Sequence, residues 1–334
     1  MTSRVKVVVT DQVFPDVERE REILARIGAD LVVADGTRDG ALALARDADA
    51  LLNTYLAIDG DFLAQVPRCR IVARYGIGVD NVDLVAAAAA GVTVTNVPDY
   101  CVEEVALHAA AMVLALVRKL PESQEWYARG AWGVDGIRPV VRLSEQVVGL
   151  LGYGRIARKV GAIMRAAGAT VIAHDPLIAR VDDGTEMVGF DELLERSDVL
   201  SLHAPLTPET RGIIDAAALA RMPRGARLVN TSRGPLVVLA DLLAALRSGQ
   251  LAGAGLDVFE TEPPDVAAIG EVPGLIATPH TAFYSEAALR ESQTKAATQI
   301  VKVLTGEPPD YAVNEPQPAA AALSATPSSS EEPS

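Results

Sequence analysis

Only two cysteines, Cys69 and Cys101, occur in 334 residues, and they do not form a CxxC pair. That scarcity argues against a disulfide framework and a thiolate metal site, so no metal is expected and both thiols are read as packing residues. There is no Lys/Arg-rich run, and 30 basic against 44 acidic residues leave a net charge of −14. On charge grounds neither nucleic acid nor an anionic membrane is an expected partner, which leaves small molecules or proteins. A long apolar run is missing too. The longest, Val105 to Val117, contains His108 and falls well short of the roughly 20 residues that cross a bilayer. It is expected as a buried helix, with His108 a core or interdomain residue. Met1-Thr2-Ser3-Arg4 runs straight into Val5-Lys6-Val7-Val8-Val9 without the apolar segment of a signal peptide, so a cytoplasmic location is expected.

What is present is a chain 49% hydrophobic and 22% charged, the profile of a globular protein long enough for two domains. Short β-branched runs alternate with Ala/Leu-rich helical patterns, as parallel βα units require. The first series predicts strands at Val5–Val9, Leu31–Ala34, Ala50–Asn53, Ile71–Arg74 and Val92–Thr95. A long helix, Tyr100 to Lys119, follows, with Glu103 and Glu104 in its first turn and Arg118-Lys119 in its last, as the helix dipole favours. A second series predicts Val147–Leu151, Thr170–His174, Asp198–Leu202, Arg227–Asn230, Gly253–Asp257 and Leu275–Ala277. Ser285 to Leu304 is helical again and is expected to return to the first domain. From Pro316 the composition collapses to Pro, Ala, Ser and Glu, and residues 316–334 are expected to be a disordered tail. Amphipathic packing is expected for Trp126 and Trp132.

Val147 to Val160 reads as a buried strand turning through Gly152-Tyr153-Gly154-Arg155-Ile156-Ala157 into a helix, the context of dinucleotide binding. Gly152 allows the tight turn, Gly154 admits a pyrophosphate to the helix N-terminus, and Ala157 permits close helix–strand packing. Asp175, 23 residues after Gly152, ends the next strand and suits the ribose hydroxyls. A carboxylate there repels a 2′-phosphate, so NAD is expected rather than NADP; Arg180 is the nearest base downstream. Arg233, Glu262 and His280 each follow a predicted strand, and in an open parallel sheet the ligand crevice lies beyond those carboxyl ends. An Arg fork for a carboxylate, an imidazole that titrates near neutrality and a carboxylate to hold it form a plausible set for oxo-acid reduction.

The fingerprint Val147–Ala157, the blocks Leu228–Gly234 and Gly255–Pro263, and Thr278-Pro279-His280 stand in one order and spacing. By these the chain resembles the D-isomer-specific 2-hydroxyacid dehydrogenase family over nearly all of residues 1–315. The resemblance implies an α/β fold of two doubly wound parallel-sheet domains. It implies a Rossmann NAD-binding domain, 99–284, inserted into a flavodoxin-like substrate domain, 1–98 with 285–315. It implies that Arg233 binds the substrate carboxylate and carbonyl, that His280 is the acid/base and that Glu262 partners His280. Asp257 would hold the nicotinamide carboxamide, while Arg155, Ile156, Thr231 and His203 would line the cofactor.

Ile71 to Asn81 resembles the family's substrate loop, whose backbone amides meet the substrate carboxylate, which makes Arg74, Tyr75, Gly76 and Ile77 candidates. A homodimer through the NAD-binding domain is also implied. Pro279 to Glu286 with Asn96-Val97-Pro98 is most similar to the C-terminal-binding-protein branch, although Phe283 stands where that branch usually carries Trp. The expected activity is NAD-dependent interconversion of a 2-oxo acid and a D-2-hydroxy acid. The alternatives are D-3-phosphoglycerate dehydrogenase, and an NADH-sensing corepressor-like binding protein.

Overall fold

The computed structural model describes residues 4–317. By internal contacts the chain divides into two compact units, Met1–Pro98 with Leu289–Ser334, and Asp99–Ala288.

The first unit contains five strands: β1 (Lys6–Val9), β2 (Asp30–Val33), β3 (Ala50–Asn53), β4 (Ile71–Arg74) and β5 (Thr93–Thr95). All pair in parallel, in the order β2-β1-β3-β4-β5. β3 and β4 are buried throughout, as central parallel strands covered on both faces must be. Asp59 and Asp83 start the helices Gly60–Ala64 and Leu84–Ala89 by accepting the amides of Phe62 and Ala86, which the helix ends leave without an intrahelical acceptor. Near the end of the described chain the Gln317 amide donates to Ala88 O at 2.9 Å, so ordered backbone runs two residues into the segment expected to be disordered. The rest of that tail lies outside the described residues.

The second unit contains seven strands: β6 (Val147–Leu151), β7 (Thr170–His174), β8 (Glu186–Met187), β9 (Val199–Leu202), β10 (Ala226–Asn230), β11 (Leu251–Leu256) and β12 (Leu275–Ala277). They too are all parallel, in the order β12-β11-β10-β9-β6-β7-β8. The order reverses between β6 and β9. β8 escapes sequence reading because two edge residues carry no period. The expected long helix is Val102–Val117, and its Ala, Val and Met face packs with helix Arg155–Ala166 over one side of the sheet. A Leu-rich cluster covers the other side. Trp126 is half-buried, but Trp132 is 87% exposed, contrary to the packing expected of it. Among the described residues no helix is long and apolar enough to cross a membrane.

Candidate active site

At the reversal of strand order β6 ends in the predicted glycine turn. Gly152 has φ +84, and a Cβ there would stand 2.7 Å from Ala204 N and 2.8 Å from His203 C, so only glycine fits between this turn and the one after β9. Its amide donates to His174 O at 2.8 Å, which ties the turn to β7. Gly154 precedes the helix Arg155–Ala166 and faces open space on its Cβ side. Arg155 is exposed there, Ile156 is half-buried against the core, and Ala157 is fully buried.

Asp175 follows β7. One carboxylate oxygen accepts the Tyr153 amide at 2.9 Å and the other the Leu177 amide at 2.9 Å, which fixes its orientation beside the glycine turn. Thr231 Oγ1 is buried without a hydrogen-bond partner. An orphaned hydroxyl, a glycine turn with open space at Gly154 and an oriented carboxylate fit a dinucleotide that supplies the missing polar contacts. His203 Nε2 lies 2.9 Å from Ser201 Oγ, and burial pushes its pKa down to about 4, so the ring is neutral at neutral pH. His174 Nδ1 lies 3.0 Å from Val188 O.

Arg233, Glu262 and His280 come from the turns after β10, β11 and β12. Fully buried Asn230 shapes the first of these, with Nδ2 donating to Arg233 O at 2.8 Å and Oδ1 accepting the Ser232 amide at 3.0 Å. Gly234 runs so close to the Phe259–Glu260 main chain that any side chain would overlap it, which joins the Arg233 turn to the Glu262 turn. Arg233 Nη1 donates to Ser232 O at 2.9 Å. Glu262 Oε1 accepts the Phe259 amide at 3.0 Å, while Oε2 lies 2.6 Å from His280 Nδ1. Burial raises the Glu262 pKa, but the His280 hydrogen bond, the Phe259 amide and the charges of His280 and Arg233 outweigh it and hold the carboxylate below its ordinary range. An ionised carboxylate only accepts, so His280 Nδ1 carries a hydrogen and Nε2 is the ring atom that can exchange a proton.

His280 sits at φ 54, a left-handed conformation costly for a side-chain-bearing residue. Asp257, 1% exposed, surrounds it with contacts. Its carbonyl accepts the His280 amide at 2.8 Å; its Oδ1 accepts the Thr281 amide at 2.9 Å and its Oδ2 the Ala282 amide at 2.9 Å. The family resemblance implied a cofactor role for Asp257 and gave no sign of this grip on the His280 turn, since spacing does not show which acceptor a distant amide finds.

In the first unit the predicted substrate loop follows β4. Tyr75 is not available to a ligand: its ring is 2% exposed, its hydroxyl donates to Glu20 at 2.8 Å, and its amide donates to Asn53 O at 3.0 Å. An aromatic side chain with a buried acceptor in reach gains more in the core than in solvent. Arg74 is 7% exposed and uses Nε on Asn81 Oδ1 at 2.6 Å and Nη2 on Thr54 O at 2.7 Å. Most of that guanidinium therefore braces the neighbouring loops rather than facing a substrate. The amides of Gly76 and Ile77 have no acceptor among the described residues, while the Gly76 carbonyl accepts the Val97 amide at 3.1 Å and the Ile77 carbonyl accepts Asn96 Nδ2 at 2.7 Å. Two anchored carbonyls thus leave two amide donors open in this turn, a backbone arrangement that can receive an anion. No cluster of metal-ligating side chains occurs among the described residues.

The D-isomer specific 2-hydroxyacid dehydrogenase NAD-binding domain matches residues 110–282. The chain belongs to this family. D-3-phosphoglycerate dehydrogenase of Mycobacterium leprae is 40% identical over 281 residues, 83% of this chain and 53% of that protein. Glyoxylate reductase of Aeropyrum pernix is 36% identical over 326 residues, 93% of this chain and 96% of that one. The solved D-lactate dehydrogenase of Aquifex aeolicus, complexed with NAD and lactic acid, superposes with a TM-score of 0.84 at 26% identity, covering 93% of this chain and all of that one. The family member described here thus spans about half the length of the curated phosphoglycerate dehydrogenases it matches. The cofactor of the matched domain is NAD, and the glycine turn, Asp175 and Thr231 fit it.

Proposed function

We propose that the protein reduces a 2-oxo acid to a D-2-hydroxy acid, and catalyses the reverse, as a cytoplasmic homodimer. The observation that carries the reading is the 2.6 Å pairing of His280 Nδ1 with Glu262 Oε2 in a turn adjoining that of Arg233. Bound NADH supplies the hydride. Arg233 presents a planar two-donor fork for the substrate carboxylate and carbonyl. Charge develops on the carbonyl oxygen as its carbon is reduced, and His280 Nε2 delivers the proton that quenches it. Glu262 keeps the imidazolium oriented and electrostatically supported until that transfer. In oxidation the neutral ring removes the hydroxyl proton and the same residues act in reverse. Asp175 selects NAD, and Arg155, Ile156, His203 and Thr231 line its site.

A panel of 2-oxo acids with NADH, followed by loss of cofactor absorbance, tests the reading. Turnover of at least one acid, abolished in His280→Ala, is expected; no turnover with any acid by protein that binds NADH overturns it and favours the corepressor-like alternative. Oxidation of 3-phosphoglycerate is the second reading, favoured by 40% identity to the Mycobacterium leprae enzyme, and belongs in the same panel. Exposed Leu107, Leu120, Tyr127, Trp132, Val134 and Val141 fall within one stretch of the second unit and support a self-association face there. Sedimentation equilibrium at micromolar concentration checks it.

A further inference from the structure

His108 lies in the middle of the helix Val102–Val117, where neither the helix nor the proposed proton transfer uses an imidazole. Its Nε2 is 3.0 Å from Thr278 Oγ1. Thr278 has one hydroxyl hydrogen, and that is committed: Oγ1 stands 2.5 Å from Asp257 Oδ1, a buried carboxylate oxygen that can only accept. Thr278 must therefore accept from His108, which fixes a hydrogen on His108 Nε2. A chain of donors thus runs from His108 to Thr278 to Asp257. Asp257 then takes the amides of His280, Thr281 and Ala282, the three residues that set the left-handed turn at His280.

We infer that His108 is a positioning residue for His280. By donating to Thr278 it keeps the threonine hydroxyl aimed at Asp257 and so holds the Asp257 carboxylate in the orientation that clamps the Thr281 and Ala282 amides. Without that donor the hydroxyl is free to rotate to another acceptor, Asp257 loses one of its three carboxylate hydrogen bonds, and the strained His280 backbone loses the contacts that over-determine it. The inference rests on the reading that His280 transfers the proton, because only then does the tilt of this ring limit the rate.

The test compares His108→Ala, His108→Gln and Thr278→Val, each checked for parent-like circular dichroism. In His108→Ala, kcat for oxo-acid reduction should fall about ten- to a hundredfold, the scale of a small misplacement of a reacting group, with the KM values for NADH and the oxo acid nearly unchanged. His108→Gln retains an N–H donor and should recover most of the loss; Thr278→Val should resemble His108→Ala. In parallel, NMR of the same variants free of substrate should show the His280 amide and ring resonances displaced in His108→Ala and Thr278→Val and near parental in His108→Gln. Undisplaced His280 resonances in His108→Ala overturn the inference, as does a loss of activity that appears wholly in the KM for NADH. If the parent itself reduces no oxo acid, the functional reading falls, while the resonances still decide whether His108 positions His280.

Discussion

Glu262 grips His280 with one carboxylate oxygen and its own turn with the other: Oε2 lies 2.6 Å from His280 Nδ1 and Oε1 lies 3.0 Å from the Phe259 amide. The carboxylate that pairs with the imidazole is thus held in place by the backbone of the turn it belongs to. Burial opposes the ionised form of Glu262, but its hydrogen bonds and two cationic neighbours prevail.

Glu262→Gln keeps the shape and removes the charge. Reduction requires protonated His280, so the alkaline limb of the reduction profile should move to lower pH and the rate at neutral pH should fall about tenfold. Oxidation requires the neutral ring, so its acid limb should move in the same direction. Unshifted limbs in both profiles, measured where chemistry limits the rate, would show that Glu262 does not govern the proton on His280. Because its folded pKa lies below the ordinary value, ionised Glu262 stabilises the fold above the usual carboxylate range, and that contribution is lost as pH falls through the lowered value. The Gln variant should accordingly lose less stability on acidification than the parent.

Arg233→Ala should leave NADH affinity nearly intact and cut kcat/KM for the oxo acid by about a hundredfold or more, the loss of two charge-assisted hydrogen bonds to a carboxylate. Lys restores a point charge but not the fork, so Arg233→Lys should recover little. Steady-state kinetics together with cofactor fluorescence titration separate the two effects. A fully active Lys variant is incompatible with the two-donor role.

Parent protein should strongly prefer NADH to NADPH, and Asp175→Ser should narrow that preference by about tenfold or more, since the oriented carboxylate both binds ribose hydroxyls and repels a 2′-phosphate. The ratio of kcat/KM values for the two cofactors measures it. Equal use of both by the parent would refute the assignment.

Tyr75→Phe removes the hydroxyl that donates to buried Glu20, whose pKa burial raises and whose hydrogen bonds to Tyr75 and Gln293 partly restore. The variant should lose about 1 kcal/mol or more of stability, the cost of a buried acceptor deprived of one partner. The urea midpoint should fall while oxo-acid KM stays near parental, because the ring faces the core. A raised KM with an unchanged midpoint would place Tyr75 at the substrate after all.

The nucleotide turn was legible from the chain alone because Gly152, Gly154 and Ala157 act within one strand–turn–helix unit, where spacing and geometry are equivalent. The strand-end placement of Arg233, Glu262 and His280 was legible for a similar reason: in parallel βα units the period of the strands dictates which residues reach the carboxyl edge. Eleven predicted strands recur in the fold within a residue or two of their expected ends, and only the two-residue β8 carries no pattern to read. What each polar group does once it reaches the edge depended on the tertiary structure. Asp257 finds the amides of Thr281 and Ala282 across 24 and 25 residues, and His108 finds Thr278 across 170. Tyr75 and Arg74 sit beside the open amides of Gly76 and Ile77 in sequence, yet the ring turns into the core and the guanidinium braces two loops. Hydrophobic period is a local property and survives in the one-dimensional chain. Hydrogen-bond partnership is settled by which donors and acceptors packing leaves without water, and that is known only when the chain has folded.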